Sequence, residues 1–174
     1  MFVVFATLAI LAALLLQTSP LLFTVGPGLR IDMVLLVVVY FSLFWSGPRA
    51  LGVGFMAGLC QDVLSSGSLG LHAFSKSLSA FAVHMLCRNV QVQHVLAQSV
   101  FTCVALVVET LAHLLVTALF QLNPLSFQVM LLHTFVQQIL LSVCCAPVVC
   151  YGLQAFAQIL QIRPHKSQRH ATGQ

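Results

Sequence analysis

The chain has 174 residues, of which 60% are hydrophobic and only 6% are charged. An ordinary soluble domain carries about 25% charged residues, so this chain has too few polar groups to cover a surface that faces water. Its mean hydropathy is +1.03, and apolar stretches close to the length of about 20 residues that a bilayer requires of a helix occur repeatedly. The composition therefore excludes a soluble domain and predicts an all-α integral membrane protein, with no nucleic-acid partner.

Turn signals divide the apolar sequence into six predicted transmembrane helices. Gly, Pro, Asn or a charged residue occurs at each break, because irregular backbone is not tolerated against lipid in mid-membrane. The first span lacks a basic segment before it and a small-residue cleavage site, so it is predicted to be a retained helix and not a secretion signal. The spans of this six-helix bundle are predicted at about residues 2–24, 31–46, 50–66, 69–87, 94–121 and 126–152.

The last apolar run is too long for one crossing of the membrane. As a single helix, residues 126–162 would measure about 55 Å, whereas the hydrocarbon core is about 30 Å thick. Pro147 and Gly152 are the predicted break. Residues 153–162 are then predicted to form an amphipathic helix at the membrane surface, and residues 163–174 a basic cytoplasmic tail.

Basic residues orient the predicted bundle. With six spans, both termini and the second and fourth loops share one side, while the loops of the opposite side carry only Arg30, next to Asp32. Lys and Arg near span ends favour the cytoplasm, so both termini are predicted to be cytoplasmic. The basic residues on that side are Arg49, Arg88, Arg163, Lys166 and Arg169.

Two further patterns concern helix packing. Ala50, Gly54 and Gly58 recur every four residues and form a small-residue stripe that lets two helices approach closely. Packing within the chain is predicted, with dimerisation as the alternative.

Aromatic residues also cluster at the end of the second span, where contact with lipid headgroups and packing inside the bundle fit equally well. They are Tyr40, Phe41, Phe44 and Trp45.

Four ionisable residues are predicted to form a polar cluster in the outer half of the bundle. Asp62 and Lys76 lie about 6 Å and about 10 Å from the outer ends of their spans, and Glu109 and His113 share one face of span five at about 16 Å and about 10 Å. An ionisable side chain within a membrane helix usually faces a partner. His72, one turn before Lys76, is placed to join them. The cluster is either a contact for a ligand or partner, or an internal link between spans three to five.

The sequence contains no recognisable catalytic motif. The serines at 65, 66 and 68 lack the glycine pattern of an intramembrane serine protease, and no phosphate loop, dinucleotide fingerprint or zinc-protease helix occurs. The six cysteines show no C-x-x-C spacing. No enzymatic activity, cofactor or metal site is predicted.

The stretch from residue 29 to 78, which includes "GFMAGLCQDVLSSGSLG", resembles the core signature of the rod shape-determining protein MreD family. That signature joins an acidic entry to the second span with a glycine-rich helix ending in Gln-Asp, a short loop of small residues and a Leu-Gly pair. Ile31 departs from the proline common in the family, and Cys60 from an aliphatic residue. The matching residues include Asp32, Gly58, Gln61, Asp62 and Gly70.

The resemblance implies a non-catalytic membrane scaffold of the bacterial cell-elongation machinery, which sets rod shape and builds the lateral peptidoglycan wall. The expected partners are MreC, MreB, the lateral-wall glycan polymerase and transpeptidase, and membrane lipids. The expected location is the bacterial inner membrane, crossed several times, with both termini cytoplasmic. The expected fold is similar to the six-helix substrate-binding subunits of energy-coupling-factor vitamin transporters.

That similarity supplies the alternative function, a substrate-binding subunit for vitamin uptake. The outer polar cluster would then serve as a ligand cradle. Such subunits dock on their transporter through an alanine-rich stripe on the first span. Ala6, Ala9, Ala12 and Ala13 offer such a stripe at partly helical spacing.

Overall fold

The computed structural model describes residues 2–18, 32–65, 70–89, 95–119 and 125–159. These residues form six α-helices, and a 3₁₀ turn at Cys87–Asn89 follows the fourth. Arg30, the predicted tail at 163–174 and residues 160–162 of the predicted surface helix lie outside the described residues. The helices are α1 (Phe2–Thr18), α2 (Met33–Phe44), α3 (Gly47–Leu64), α4 (Leu71–Leu86), α5 (Val95–Leu119) and α6 (Leu125–Ile159).

Two helical segments are long and apolar enough to cross a membrane, Ala97–Val116 in α5 and Ser142–Ile159 in α6. Helices α1 and α2 are apolar but shorter. At 1.5 Å per residue, the 12 residues of α2 extend only about 18 Å, against a hydrocarbon core of about 30 Å. Length and composition therefore identify α5 and α6 as membrane-capable, and the crossing of a membrane by all six helices stays a prediction.

Helix α2 is the centre of the fold. Its sequence "MVLLVVVYFSLF" is apolar on every side, which is typical of a helix enclosed by other helices. All residues from Met33 to Leu43 are buried, and α2 contacts each of the other five helices. Each of the other helices packs one face against the core. The opposite face of each leaves large apolar side chains exposed.

Helices that follow one another in the chain run in opposite directions. The ring of Phe2, at the start of α1, packs against Trp45, at the end of α2, and a Cβ on Gly47, at the start of α3, would touch His84, near the end of α4. Phe156, near the end of α6, stacks on Phe5. We call this the arginine end, because Arg49 and Arg88 lie there, and the opposite end, where α3 ends and α4 begins, the Asp62 end.

The small-residue stripe of α3 lies against α4. Ala50, Gly54 and Gly58 are all buried. A Cβ on Gly54 would come within 2.9 Å of the backbone oxygen of Lys76, and a Cβ on Gly58 would overlap the backbone of His72 and Ala73. The missing side chains therefore let the two backbones approach closely, within one chain and not between two copies.

The structure shows no break in α6 where one was predicted. The helix passes through Pro147 and Gly152 and ends at Ile159. A proline removes one backbone hydrogen bond, but helices packed on neighbours tolerate this. The buried Ala146, Cys150 and Ala157 hold the helix on the core on both sides of the proline. The placement of residues 153–159 at a membrane surface stays a prediction.

The aromatic residues at the end of α2 pack inside the protein. Tyr40 and Phe41 are fully buried and Trp45 is 2% exposed. Phe41 makes ring contacts with Phe2, Phe5, Tyr40 and Trp45, at centroid distances of 5.4–6.1 Å. Of the two interpretations of this cluster, the geometry favours packing between helices.

Candidate functional site

An ammonium group with two carboxylate partners lies in the interior of the helix bundle. Lys76, on α4, is fully buried. Its Nζ donates to Oδ2 of Asp32 at 2.6 Å and to Oε1 of Glu109 at 2.8 Å. Because Asp32 precedes α2 and Glu109 lies on α5, this ion triad links three helices. A buried charge without a partner costs several kcal/mol, so the three groups depend on one another.

Asp32 belongs to the triad because α2 begins inside the protein. The residue is 7% exposed, and its Oδ1 accepts the backbone N–H of Leu35 at 2.9 Å, as an N-cap side chain does. Its other carboxylate oxygen is thereby directed at Lys76. One carboxylate therefore both caps the central helix and neutralises the buried lysine.

Asp62 has a different role from the one predicted for it. Its carboxylate accepts the backbone N–H groups of Gly70, His72 and Ala73, each at 3.0 Å. The first N–H groups of a helix have no partner within that helix, and they favour a negative charge. Asp62, at the end of α3, therefore caps the start of α4, and no ion pair between Asp62 and Lys76 occurs in the part of the chain that the structure describes.

The other signature residues surround this cap. Gly70 has a left-handed φ of 95°, which a glycine adopts at no steric cost, and this turns the backbone N–H groups toward Asp62. Gly58 brings the backbone of α4 close to α3. Oε1 of Gln61 is buried without a hydrogen-bond partner among the described residues. The signature thus gathers where the end of α3 meets the start of α4.

Two histidines lie next to the triad. The rings of His72, on α4, and His113, on α5, are 4.9 Å apart between centroids and inclined by 55°. Nε2 of His113 lies 3.3 Å from Oγ of Ser75. The metal-ligating atoms of His72, Glu109 and His113 all lie within 4.8 Å of one another, so these three side chains form a group that could hold a metal ion.

The Ser75–His113 contact has the spacing of a nucleophile and its base, but it is not arranged for catalysis. Ser75 is fully buried, and its hydroxyl donates to the backbone oxygen of His72 at 3.2 Å. A substrate has no access to that oxygen in this geometry. The contact instead positions the imidazole of His113.

The structure therefore brings together Lys76, Glu109 and His113 of the four predicted cluster residues, with His72 beside them, and it places Asp62 at the adjacent cap. Asp32 was predicted to lie at the entry to the second span, and its contact with Lys76 was not predicted. One signal was present, since Asp32 immediately precedes an apolar run and aspartate is a favoured N-cap residue.

The described residues form an all-helical fold, with two helices long and apolar enough to cross a membrane and a charged cluster buried between helices. The chain belongs to the rod shape-determining protein MreD family, whose family model matches residues 1–160. Membership implies a part in the determination of rod shape, in a family of shape-determining structural proteins. No curated protein and no solved structure gives a significant match to the chain.

Proposed function

We propose that this protein is a non-catalytic membrane scaffold of the bacterial cell-elongation machinery. In this proposal it binds MreC and the glycan polymerase and transpeptidase of the lateral wall, with MreB at the cytoplasmic surface. Family membership supports a part in the determination of rod shape, and the ion triad supports the scaffold role. The partners themselves come from the family resemblance.

The single observation that carries the scaffold role is that the buried charges contact groups on other helices. Lys76 has carboxylate partners from α2 and α5, and Asp62 binds three backbone N–H groups of α4. Charged groups used in this way hold helices in fixed relative positions. A rigid bundle presents constant surfaces to its partners, as a scaffold requires.

The proposal includes six membrane crossings with both termini in the cytoplasm. The starts of α1 and α3 and the ends of α2, α4 and α6 meet at the arginine end, and basic residues favour the cytoplasmic side. Helix α2 is too short to match the lipid, but the other helices enclose it. Only its neighbours then have to span the full hydrocarbon thickness.

The partner surfaces would be the outer faces of the helices. Phe55 on α3, Phe81 on α4 and Tyr151 on α6 are 50%, 47% and 76% exposed. In a membrane such side chains face either lipid or the transmembrane helix of a partner. The single-span helix of MreC would occupy one of these faces, while lipid covers the others.

Site-specific photo-crosslinking tests this function. A photoreactive amino acid at position 55, 81 or 151 is introduced into the full chain in rod-shaped cells that depend on it. One of the positions should give an adduct that contains MreC, and the adduct should disappear when MreC is depleted. The scaffold proposal is wrong if none of the positions yields an adduct with MreC or a wall synthase.

The geometry does not favour the alternative of a vitamin-uptake subunit. Ala6, Ala9 and Ala13 are 4–6% exposed and pack in the hydrophobic core, whereas Ala12 is exposed. The alanine stripe of α1 is therefore used inside the protein and is not presented to a transporter. No observation on the described residues supports that function.

A further inference from the structure

We propose that His72, Glu109 and His113 bind a divalent transition-metal ion of the zinc class, which links α4 to α5 beside the ion triad. Two imidazoles and one carboxylate form a known ligand set for zinc, with a fourth position open to water or another ligand. Imidazole nitrogens favour zinc, copper, nickel or iron over magnesium and calcium. The choice of metal therefore follows from the donor atoms.

The distances are compatible with a metal centre after a small closure. Zinc–nitrogen bonds of about 2.0–2.1 Å place two ligand atoms of one tetrahedral ion about 3.3 Å apart. The three ligand atoms lie within 4.8 Å of one another, so none has to approach another by more than about 1.5 Å on this geometry. We expect rotation of the imidazole rings about their side-chain bonds to supply this movement.

The hydroxyl of Ser75 contacts both histidines. It donates to the backbone oxygen of His72 and lies 3.3 Å from Nε2 of His113, so it holds the imidazole of His113 beside the other two ligands. Metal-ligating histidines usually have their second nitrogen held by such an outer hydrogen bond.

His72 supplies the second indication of a ligand. Its Nδ1 is buried and has no hydrogen-bond partner among the described residues. Buried polar atoms in folded proteins nearly always have a partner. The backbone N–H of His72 is held by Asp62, which fixes the start of α4 and with it the position of the ring. A metal ion would satisfy the buried nitrogen.

The surrounding charge favours a cation. One ammonium group, Lys76, lies between the carboxylates of Asp32 and Glu109, so one negative charge is left in excess next to two neutral imidazoles. Lys76 opposes the metal, but it keeps its contact of 2.6 Å with Asp32 when Glu109 also binds the ion. The signature residue Asp62 adds a further carboxylate at the same end, although backbone N–H groups compensate it.

Cobalt binding tests the site directly. The full chain, purified in detergent with its tag removed and treated with chelator, is titrated with Co²⁺ and monitored by visible absorption. We expect bands typical of four- or five-coordinate cobalt, with one tightly bound ion per chain that Zn²⁺ displaces. Substitution of either His72→Gln or His113→Gln should weaken binding at least about tenfold, the lower end of what even the loss of an outer-shell partner costs.

His84→Gln is the matched control. His84 lies on the same helix, is also partly buried and contacts the backbone oxygen of Ser42, but it is not one of the grouped ligands. This variant should bind cobalt as the wild type does. Equal cobalt spectra from the wild type and the His72→Gln/His113→Gln double variant would overturn the proposal, because binding would then come from other histidines.

A measurement on the wild type covers the case in which the histidine variants fail to fold. Diethyl pyrocarbonate modification, mapped by mass spectrometry with and without Zn²⁺, should show protection of His72 and His113 and none of His84. Absence of that selective protection would equally refute the site. Partner binding is not part of either measurement, so the metal site and the scaffold function fail independently.

Discussion

Helix α2 is held by charge at its start and by aromatic rings at its end. At its start, Asp32 caps the helix and binds Lys76, which also binds Glu109. At its end, Phe41 and Trp45 pack against Phe2 of α1, and the guanidinium of Arg49 lies over the rings of Phe2 and Trp45 at 5.3 Å and 5.9 Å. The same helix therefore has a polar end and an apolar end within one core.

The two ends of α2 differ in how well they tolerate amino-acid substitutions. Charged contacts are directional and depend on one another, so removal of one partner leaves another buried charge uncompensated. Apolar packing has no such direction, and substitutions of similar volume usually cost less than about 1.5 kcal/mol. The Asp62 end should consequently be the sensitive end of the molecule, and the arginine end the tolerant one.

The largest effect is expected for Lys76→Met. This change leaves Asp32 and Glu109 buried without their common partner, and breaking a buried ion pair costs about 3–5 kcal/mol. We expect a large loss of thermal stability in detergent and reduced accumulation in membranes. The matched variant Lys76→Met/Asp32→Asn/Glu109→Gln also removes the negative charges of the two carboxylates. It should recover much of the lost thermal stability. If the triple variant is no more stable than the single one, the triad does not act through charge.

Gly58→Ala should have the next largest effect. The added Cβ would overlap the backbone of α4, and overpacking of a close contact costs about 1–3 kcal/mol, here toward the upper value because backbone atoms cannot rotate away. Gly52→Ala is the control on the same helix, since its Cβ would meet nothing within 4 Å. That variant should be neutral or slightly stabilised, because alanine favours a helix by about 1 kcal/mol over glycine. Equal melting temperatures for the two variants would contradict the close approach of α3 and α4.

Asp62→Ala should cost about 2 kcal/mol, the upper value for loss of a helix cap. The backbone N–H groups of Gly70, His72 and Ala73 lose their acceptor, so their hydrogen exchange should accelerate, while exchange in the middle of α4 stays slow. Asp62→Asn keeps one acceptor oxygen and should lie between the alanine variant and the wild type. Unchanged exchange at all three positions would show that the cap is not formed.

The smallest effect is expected at the arginine end. Phe41→Leu keeps a large apolar side chain in the aromatic cluster, so we expect a loss of about 1 kcal/mol, the size of an aromatic pair contribution, and normal accumulation in membranes. The melting temperatures of Phe41→Leu and Lys76→Met, measured under the same conditions, compare the two ends of α2 directly. A loss at Phe41 as large as that at Lys76 would remove the distinction between the two ends.

Several features of the fold followed from local patterns. The apolar runs located the helices, since α2 to α5 each begin and end within one turn of a predicted span. The pairing of Lys76 with Glu109 could be predicted from the sequence because both residues lie inside helices, where the rise per residue gives the depth of a side chain. The small-residue stripe likewise identified a close helix contact, although only the structure identified α4 as its neighbour.

The misassigned groups are those near helix ends. The depth of each side chain was counted from the nearest loop, on the assumption that every span reaches the same membrane surface. Helix α2 does not fit this assumption, because it is short and enclosed by the other helices. Asp32 therefore lies at the level of Lys76 and takes the place predicted for Asp62. The continuous α6 has a similar cause, since contacts of Ala146 and Ala157 with the core outweigh the local preference of Pro147 to end a helix.

The sequence by itself determined that the protein is helical, that it is too apolar to be a soluble domain, and that its few charges need partners, because composition and periodicity are properties of the chain alone. Only the tertiary structure decided which charges meet, since a partner is chosen by the depth and rotation of separate helices. It also placed the ligand atoms of His72, Glu109 and His113, which come from two helices, within 4.8 Å of one another. The physical reason is that packing between helices sets those positions, and sequence spacing carries no record of it beyond a single helix.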